Sequence, residues 1–366
     1  MVYFLYPRCC NIAPGIDYIS SMKFLWMNKF SRDFYMHINY FKFSPSFVQN
    51  IPEQGDTGLD FEQFREELGR GSFSVVYKGR NKATDNLVAI KTISNVSPDI
   101  KKVINAEIKA VKQLAQHPNI INVLDIKHIG QETKIIMEFC EHNLNSFYKE
   151  NYSKIDIPLR TSFMKQIASG LAFLHNHNFV HRDMKPYNIL VRLPPSCPPE
   201  AKICDFGFSV AIDSSKHVLN SKLGTENYKA PELFDRHKKY TNSIDIFSTG
   251  LIFLAMCQAT QGQDLIPRAE GLPADGPEYD EAIGRVLHTR NYHGLAPVNI
   301  TIHSPSLPQA EADLRKLINS MTEFKPKKRP NANDVKTNLT KVSRKTLTIF
   351  KNKQTNKNLN MLTRPL

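Results

Sequence analysis

The chain has 366 residues, 41% of them hydrophobic and 23% charged, with a formal net charge of +13. That length suits one large domain or two ordinary ones, and the composition is normal for a soluble globular protein. It holds no apolar run of about 18 residues, so no transmembrane helix is expected, and its start, MVYFLYPRCC, lacks the basic residues and long apolar stretch of a secretory signal. The cysteines, Cys9, Cys10, Cys140, Cys197, Cys204 and Cys257, form no CxxC pair. Their spacing suggests neither a zinc site nor a disulfide framework, and a reducing compartment, cytosol or nucleus, fits best. Residues 341–366 carry seven Lys or Arg and no acid, and residues 1–60 are neutral, which leaves +6 for the middle. The basic end therefore reads as a solvated arm rather than a nucleic-acid surface.

Residues 1–58 are crowded with aromatics but lack a sustained helical or strand period. They are too aromatic for ordinary disorder. The regular pattern begins at Phe64. SVVYKGRN and LVAIKTIS are β-branched runs separated by the turn-rich KATDN, which predicts a hairpin. Ile100, Val103, Ile104, Ile108, Val111 and Leu114 form a helical stripe that Pro118 ends. TKIIMEF predicts a strand. Thereafter LRTSFMKQIASGLAFLHNH, SIDIFSTGLIFLAMCQA and AEADLRKLINSMTEF predict helices. The stretch from 260 to about 300 is rich in Gly and Pro and predicts an irregular excursion. A strand-rich first part and a helix-rich second part give an α+β chain of two unlike lobes.

Several short motifs carry chemistry. LGRGSFSVV, residues 68–76, places Gly69 and Gly71 between two strands, with Ser74 where a third Gly often sits. Glycines there let backbone N–H groups approach phosphate oxygens, although the pattern alone fits an ordinary hairpin equally well. Lys91 lies in the next strand. A buried ammonium needs a partner, and Glu107, sixteen residues on, can supply it. In HRDMKPYNIL, residues 181–190, Asp183 can accept the proton of an attacking hydroxyl. Lys185 can neutralise a phosphoryl group in flight, and Asn188 can offer a neutral oxygen to a divalent cation. Asp205 of the DFG that follows offers an anionic one, and together they suffice for magnesium shared with phosphate and water. GTENYKAPE, DIFSTG and KPKKRP complete the series.

This ordered set resembles the eukaryotic protein kinase family over about residues 62–342. The resemblance implies a bilobal fold, with a small β-rich N-lobe carrying one main helix and a larger helical C-lobe. Residues 343–366 are left as the basic tail. It implies ATP and Mg2+ as cofactors and serine or threonine hydroxyls of protein substrates as acceptors, Lys185 being the serine/threonine-type residue. The ATP site would be lined by Leu68, Gly69, Arg70, Gly71, Ser72, Phe73, Ser74, Val76, Ala89, Lys91 and Glu107, with Met137 as gatekeeper. Glu138 and Cys140 would offer the hinge carbonyl and N–H, and Asp205 with Asn188 would hold the metal. Cys204 would line the back of that site. Thr225 matches the position that bridges Asp183 and Lys185 and shapes the pocket for the residue after the phosphoacceptor. His181 and Phe206 match packing that joins the lobes, Glu232 and Arg329 a buried ion pair, and Asp245 an anchor of the catalytic-loop backbone. Arg182 matches a pocket for an activating phosphate, for which Ser221 is the expected acceptor and Ser214 or Ser215 the second choice, served by an upstream kinase or by autophosphorylation. Lys101 or Lys102 would assist.

Two departures matter. Ser74 replaces the third Gly, and Tyr187 stands where basic-directed kinases often carry Glu. MEFCEHNL and DIFSTGLIFLAM also resemble a small group of kinases that associate with PDZ–LIM proteins on actin and in the nucleus, and NIMA-related and stress-sensor kinases share parts of the pattern. The alternative function is a catalytically weak or inactive kinase-fold scaffold. Against it, Lys91, Glu107, Asp183, Asn188 and Asp205 are all present.

Overall fold

A computed structural model describes residues 60–71, 74–94, 101, 104–105, 107–108, 114, 117–211, 225–233, 240–266 and 308–344. The N-terminal extension, most of the Gly/Pro-rich excursion and the last 22 residues lie outside these, as do Ser72, Phe73, Lys102, Ser214, Ser215 and Ser221.

The first lobe is a five-stranded antiparallel sheet in the order β1-β2-β3-β5-β4. The strands are β1 (Phe61–Arg70), β2 (Ser74–Asn81), β3 (Leu87–Ser94), β4 (Val123–Ile129) and β5 (Glu132–Glu138). The β2–β3 hairpin forms as KATDN predicts: the Asn81 side chain accepts from the N–H groups of Ala83 and Thr84 at 2.9 and 3.1 Å, an Asx turn. Gly79 lets β1 lie close, since a Cβ there would meet the Glu62 carbonyl oxygen at 2.6 Å. Residues 101, 104, 105, 107 and 108 are helical, and their buried members Ile104 and Glu107 face the sheet's core, joined by Val76, Ala89, Ile121, Val123, Ile135 and Met137. Leu190 and Cys204 of the second lobe complete that core, so the cleft between lobes is walled by both.

The second lobe is helical. Helix α1 (Leu144–Asn151) begins in a capping box between Asn143 and Ser146. Helix α2 (Ile157–Asn176) is capped by Asp156, which accepts from the Leu159 N–H at 2.8 Å. It buries Phe163, Met164, Ile167, Leu171 and Leu174. Helix α3 (Ser243–Gln258) is buried over residues 244–257, with apolar side chains on every face, as expected for a helix at the centre of a lobe. Helix α4 (Pro308–Met321) packs on it; a Cβ at Gly250 would come within 2.9 Å of the Met321 Cβ, which holds the two helices close. Residues 332–344 are helical, running past the boundary at 342 expected for the domain. Small strands complete the lobe: β6 (His142–Asn143), β8 (Ile189–Arg192) and β9 (Glu200–Ile203) form one sheet, and β7 (Phe179–Val180) pairs with β10 (Val210–Ala211). Among the described residues no helix is long and apolar enough to cross a membrane.

Arg329 and Glu232 brace this lobe. Their side chains are 0% and 4% exposed and meet in a fork at 2.7 and 2.9 Å. The guanidinium also donates to the carbonyls of Ser243, Glu323 and Phe324, and lies 4.8 Å from the centre of the Phe247 ring. Lys325, Lys327 and Lys328 remain exposed, but Arg329 is withdrawn from the basic run KPKKRP. Removing one member of a buried pair leaves the other charge uncompensated. Arg329→Ala is therefore expected to cost about 3–5 kcal/mol in chemical denaturation. A loss below ~1 kcal/mol, the range of exposed pairs, would contradict the bracing role.

Candidate active site

The site is built on the turn between β7 and β8. His181 and Arg182 donate their backbone N–H groups to the two carboxylate oxygens of Asp245 at 2.7 and 2.9 Å, and His175 Nε2 lies 3.0 Å from the same carboxylate. Asp245 thus anchors the loop from α3. Burial opposes its ionisation, but the hydrogen bond and charge of His175, with His181, outweigh this and hold the carboxyl below its ordinary value. The anchor sustains unusual backbone: Arg182 and Asp205 have φ of +71° and +81°, a region that non-glycine residues enter only where the surroundings over-determine it. His181 Nε2 contacts the Cys204 carbonyl at 2.8 Å, and its ring meets Phe206 edge-on at 5.3 Å, which links the loop to the DFG turn.

Asp183, Lys185, Asn188 and Asp205 converge, each 3% exposed or less. Pro186 opens the 3-10 turn Pro186–Asn188 and Ile189 pairs with Ile203, so the loop and the DFG segment are brought side by side. Lys185 Nζ is 2.7 Å from Asp183 Oδ2 and 3.1 Å from the Thr225 hydroxyl. Thr225 donates to Asp183 Oδ1 through its N–H at 3.1 Å and its hydroxyl at 2.9 Å. The Asn188 amide donates to the Asp183 carbonyl at 2.7 Å, to Asp183 Oδ2 at 3.0 Å and to Asp205 Oδ2 at 2.9 Å. A small cavity beside Asp183 is lined by Thr225, Tyr228, Leu233, Ile244 and Ser248.

Across the cleft, Lys91 sits in the middle of β3 and its ammonium meets both oxygens of Glu107 at 3.0 and 3.1 Å. The two side chains are 2% and 1% exposed. Val76, Ala89 and Met137 of the sheet pack in one buried cluster with Leu190 and Cys204 of the second lobe. Gly71 donates to the Ser74 carbonyl at 2.7 Å, closing the described end of the glycine turn. Leu68 packs against this core; the Arg70 guanidinium is held by Glu67 at the surface, so only its backbone faces the turn. Burial, with the Glu138 carboxylate next in effect, pushes the Cys140 thiol well up, which disfavours the thiolate.

The donor set fits a hard cation. One carboxylate, Asp205, and one carboxamide, Asn188, stand together, and among the described residues no cluster of three or more His, Cys, Asp or Glu could hold a metal. By their chemistry Asp205 and Asn188 would suit Mg2+ shared with phosphate oxygens and water rather than an all-protein cage.

Two arrangements were not visible in the sequence. The Glu138 side chain accepts from the Asn122 N–H at 2.8 Å and pairs with Lys202 at 3.1 Å. Arg182, expected to await a phosphate, donates to the Phe208 carbonyl and to the Tyr240 hydroxyl at 3.0 Å. Nothing in the local motif around Arg182 signals Tyr240, which lies 58 residues away.

The family pattern described as protein kinase domain matches residues 62–339. A protein named cyclin-dependent kinase-like 2 from Rattus norvegicus is 35% identical over 202 residues, 55% of this chain and 38% of the relative. Its namesake from Mus musculus is likewise 35% identical over 202 residues, covering 34% of that protein. The chain thus spans little more than a third of the length of the curated relatives it matches.

Proposed function

The chain belongs to the protein kinase family, and on that premise we propose that it transfers the γ-phosphoryl group of ATP to serine and threonine hydroxyls of protein substrates. The observation that carries this reading is the single buried patch on which Asp183, Lys185, Asn188, Asp205 and Thr225 meet, facing an intact Lys91–Glu107 pair. A scaffold that only bound nucleotide would have no use for a carboxylate held beside Lys185.

Phosphoryl transfer passes through a loose transition state, so the protein's part is positioning and electrostatic stabilisation. Lys91, fixed by Glu107, would hold the α- and β-phosphates. Asp205 and Asn188 would hold Mg2+, which supplies positive charge to the phosphate oxygens. Lys185 would neutralise the group in transfer and Asp183 take the proton of the attacking hydroxyl. Lys185, Asn188 and Thr225 place four donors around the Asp183 carboxylate. An entering hydroxyl has to displace one of them, and Lys185 is the cationic donor that the γ-phosphate would draw away.

The test is phosphorylation of a peptide array by the purified protein beside its Asp183→Asn variant. Label on Ser or Thr spots with the parent alone supports the proposal; equal label with both, or none with either while ATP still binds, sinks it. Phosphate on Ser221 is the regulatory part of the proposal. Such a phosphate carries about −1.5 to −2 charge, which by the resemblance Arg182 would receive. Phosphatase treatment is expected to lower the parent to the level of Ser221→Ala and to leave that variant unchanged. A parent fully active after phosphatase would mean that Tyr240 and the Phe208 carbonyl suffice to hold Arg182.

A further inference from the structure

Asn145 is 4% exposed, in the first turn of α1, yet it does not cap that helix; Asn143 does. Asn is a mediocre helix former, so its place here calls for another reason. Its Nδ2 donates to the Tyr187 hydroxyl at 3.1 Å and to Asp264 Oδ1 at 2.9 Å. Its Oδ1 accepts the Leu265 N–H at 2.6 Å. Both donors and the acceptor of the carboxamide are used, on partners 42 to 120 residues distant.

These contacts close a ring around the substrate side of the site. Tyr187 adjoins Asn188, which holds the Asp183 backbone. The Leu265 carbonyl accepts from the Tyr228 hydroxyl. The Tyr228 N–H donates to the Thr225 carbonyl at 3.0 Å, and Thr225 returns to Asp183. The Asp264 branch contributes less: its other partner is Lys149, and their side chains are 41% and 48% exposed, where an ion pair is screened.

We propose that Asn145 is a positioning residue for phosphoryl transfer. It fixes the spacing between the Asp183–Asn188 loop and the Thr225–Tyr228 segment that frames the acceptor hydroxyl. The proposal rests on the kinase reading. It places Asn145 outside nucleotide binding, because none of its partners belongs to the Lys91 side of the cleft.

The experiment compares the full-length parent with Tyr187→Phe, Asn145→Ala and the double variant. It measures kcat and the separate KM values for peptide and ATP, and the rise in Tm with ATP and magnesium. Tyr187→Phe loses one hydroxyl and keeps the ring, so it decides the matter even if Asn145→Ala folds poorly. The expected result is a fall in kcat on the order of tenfold, as small misplacements of reacting groups produce. The KM for ATP and the ATP-induced rise in Tm should match the parent, and the double variant should be no worse than Asn145→Ala. Unchanged kcat in folded Tyr187→Phe overturns the proposal. So does a parallel loss of kcat and of the ATP-induced shift, which is general loosening. A parent that binds ATP but labels no peptide overturns the kinase reading instead, and this inference with it.

Discussion

Asp183→Asn is expected to lower turnover on the order of 10²–10⁴-fold, the range lost with a general base, while nucleotide affinity stays close to that of the parent. The substitution keeps shape but removes a proton acceptor and a charge. It also replaces one acceptor oxygen with an NH2 group. On the Oδ2 side that group would face Lys185 Nζ at 2.7 Å and the Asn188 amide at 3.0 Å; on the Oδ1 side it would face both donors of Thr225. Either way donor meets donor, so the variant disturbs the alignment of Lys185 or of Thr225 as well as removing the base. Nucleotide affinity is spared because Lys91 and Glu107 lie across the cleft. Steady-state kinetics with peptide and ATP varied separately checks this: kcat should fall and the KM for ATP should not rise. Turnover like the parent's in a clean preparation would remove Asp183 from the role assigned.

Lys91→Met should have the second-largest effect, on nucleotide binding. At ATP·Mg2+ a hundredfold above its dissociation constant, binding to the folded state alone adds about 2.7 kcal/mol to stability. The parent should show this as a rise in Tm, and Lys91→Met should lose most of it. The variant also leaves Glu107, 1% exposed, without its ammonium, so its Tm without nucleotide should fall too. Glu107→Gln separates the two effects, since it retains the Lys91 ammonium without burying a lone carboxylate. Equal nucleotide-induced shifts in parent and Lys91→Met would show that ATP is held without Lys91.

Most of the fold is legible in the sequence because its elements carry strong local signals. The hairpin is written in two β-branched runs around KATDN, and α2 and α3 in long apolar segments with few breakers. The site is legible for a different reason: Asp183, Lys185 and Asn188 are neighbours in sequence, so one turn holds them together. What could not be read are contacts between distant segments. Asn145 in HNLNSF looks like a surface residue of a short helix until Leu265 and Tyr187 are brought to it. Arg182 likewise looks unpartnered until Tyr240, from the segment leading into α3, reaches its guanidinium. Neither arrangement has a periodic or spacing signal, because each depends on the lobe having packed. The Glu232–Arg329 pair is an intermediate case, with partners 97 residues apart yet each within a recognisable motif.

On the proposed reading this site moves a phosphoryl group rather than merely holding nucleotide. Single-turnover transfer from ATP labelled at the γ-phosphate, with protein in excess over ATP and a serine- or threonine-bearing peptide present, tests it most directly. Label is expected to leave ATP and appear on the peptide hydroxyl at a rate that Asp183→Asn lowers on the order of 10²–10⁴-fold. Bound ATP that stays intact, or label released only as free phosphate with none on the peptide, would contradict it.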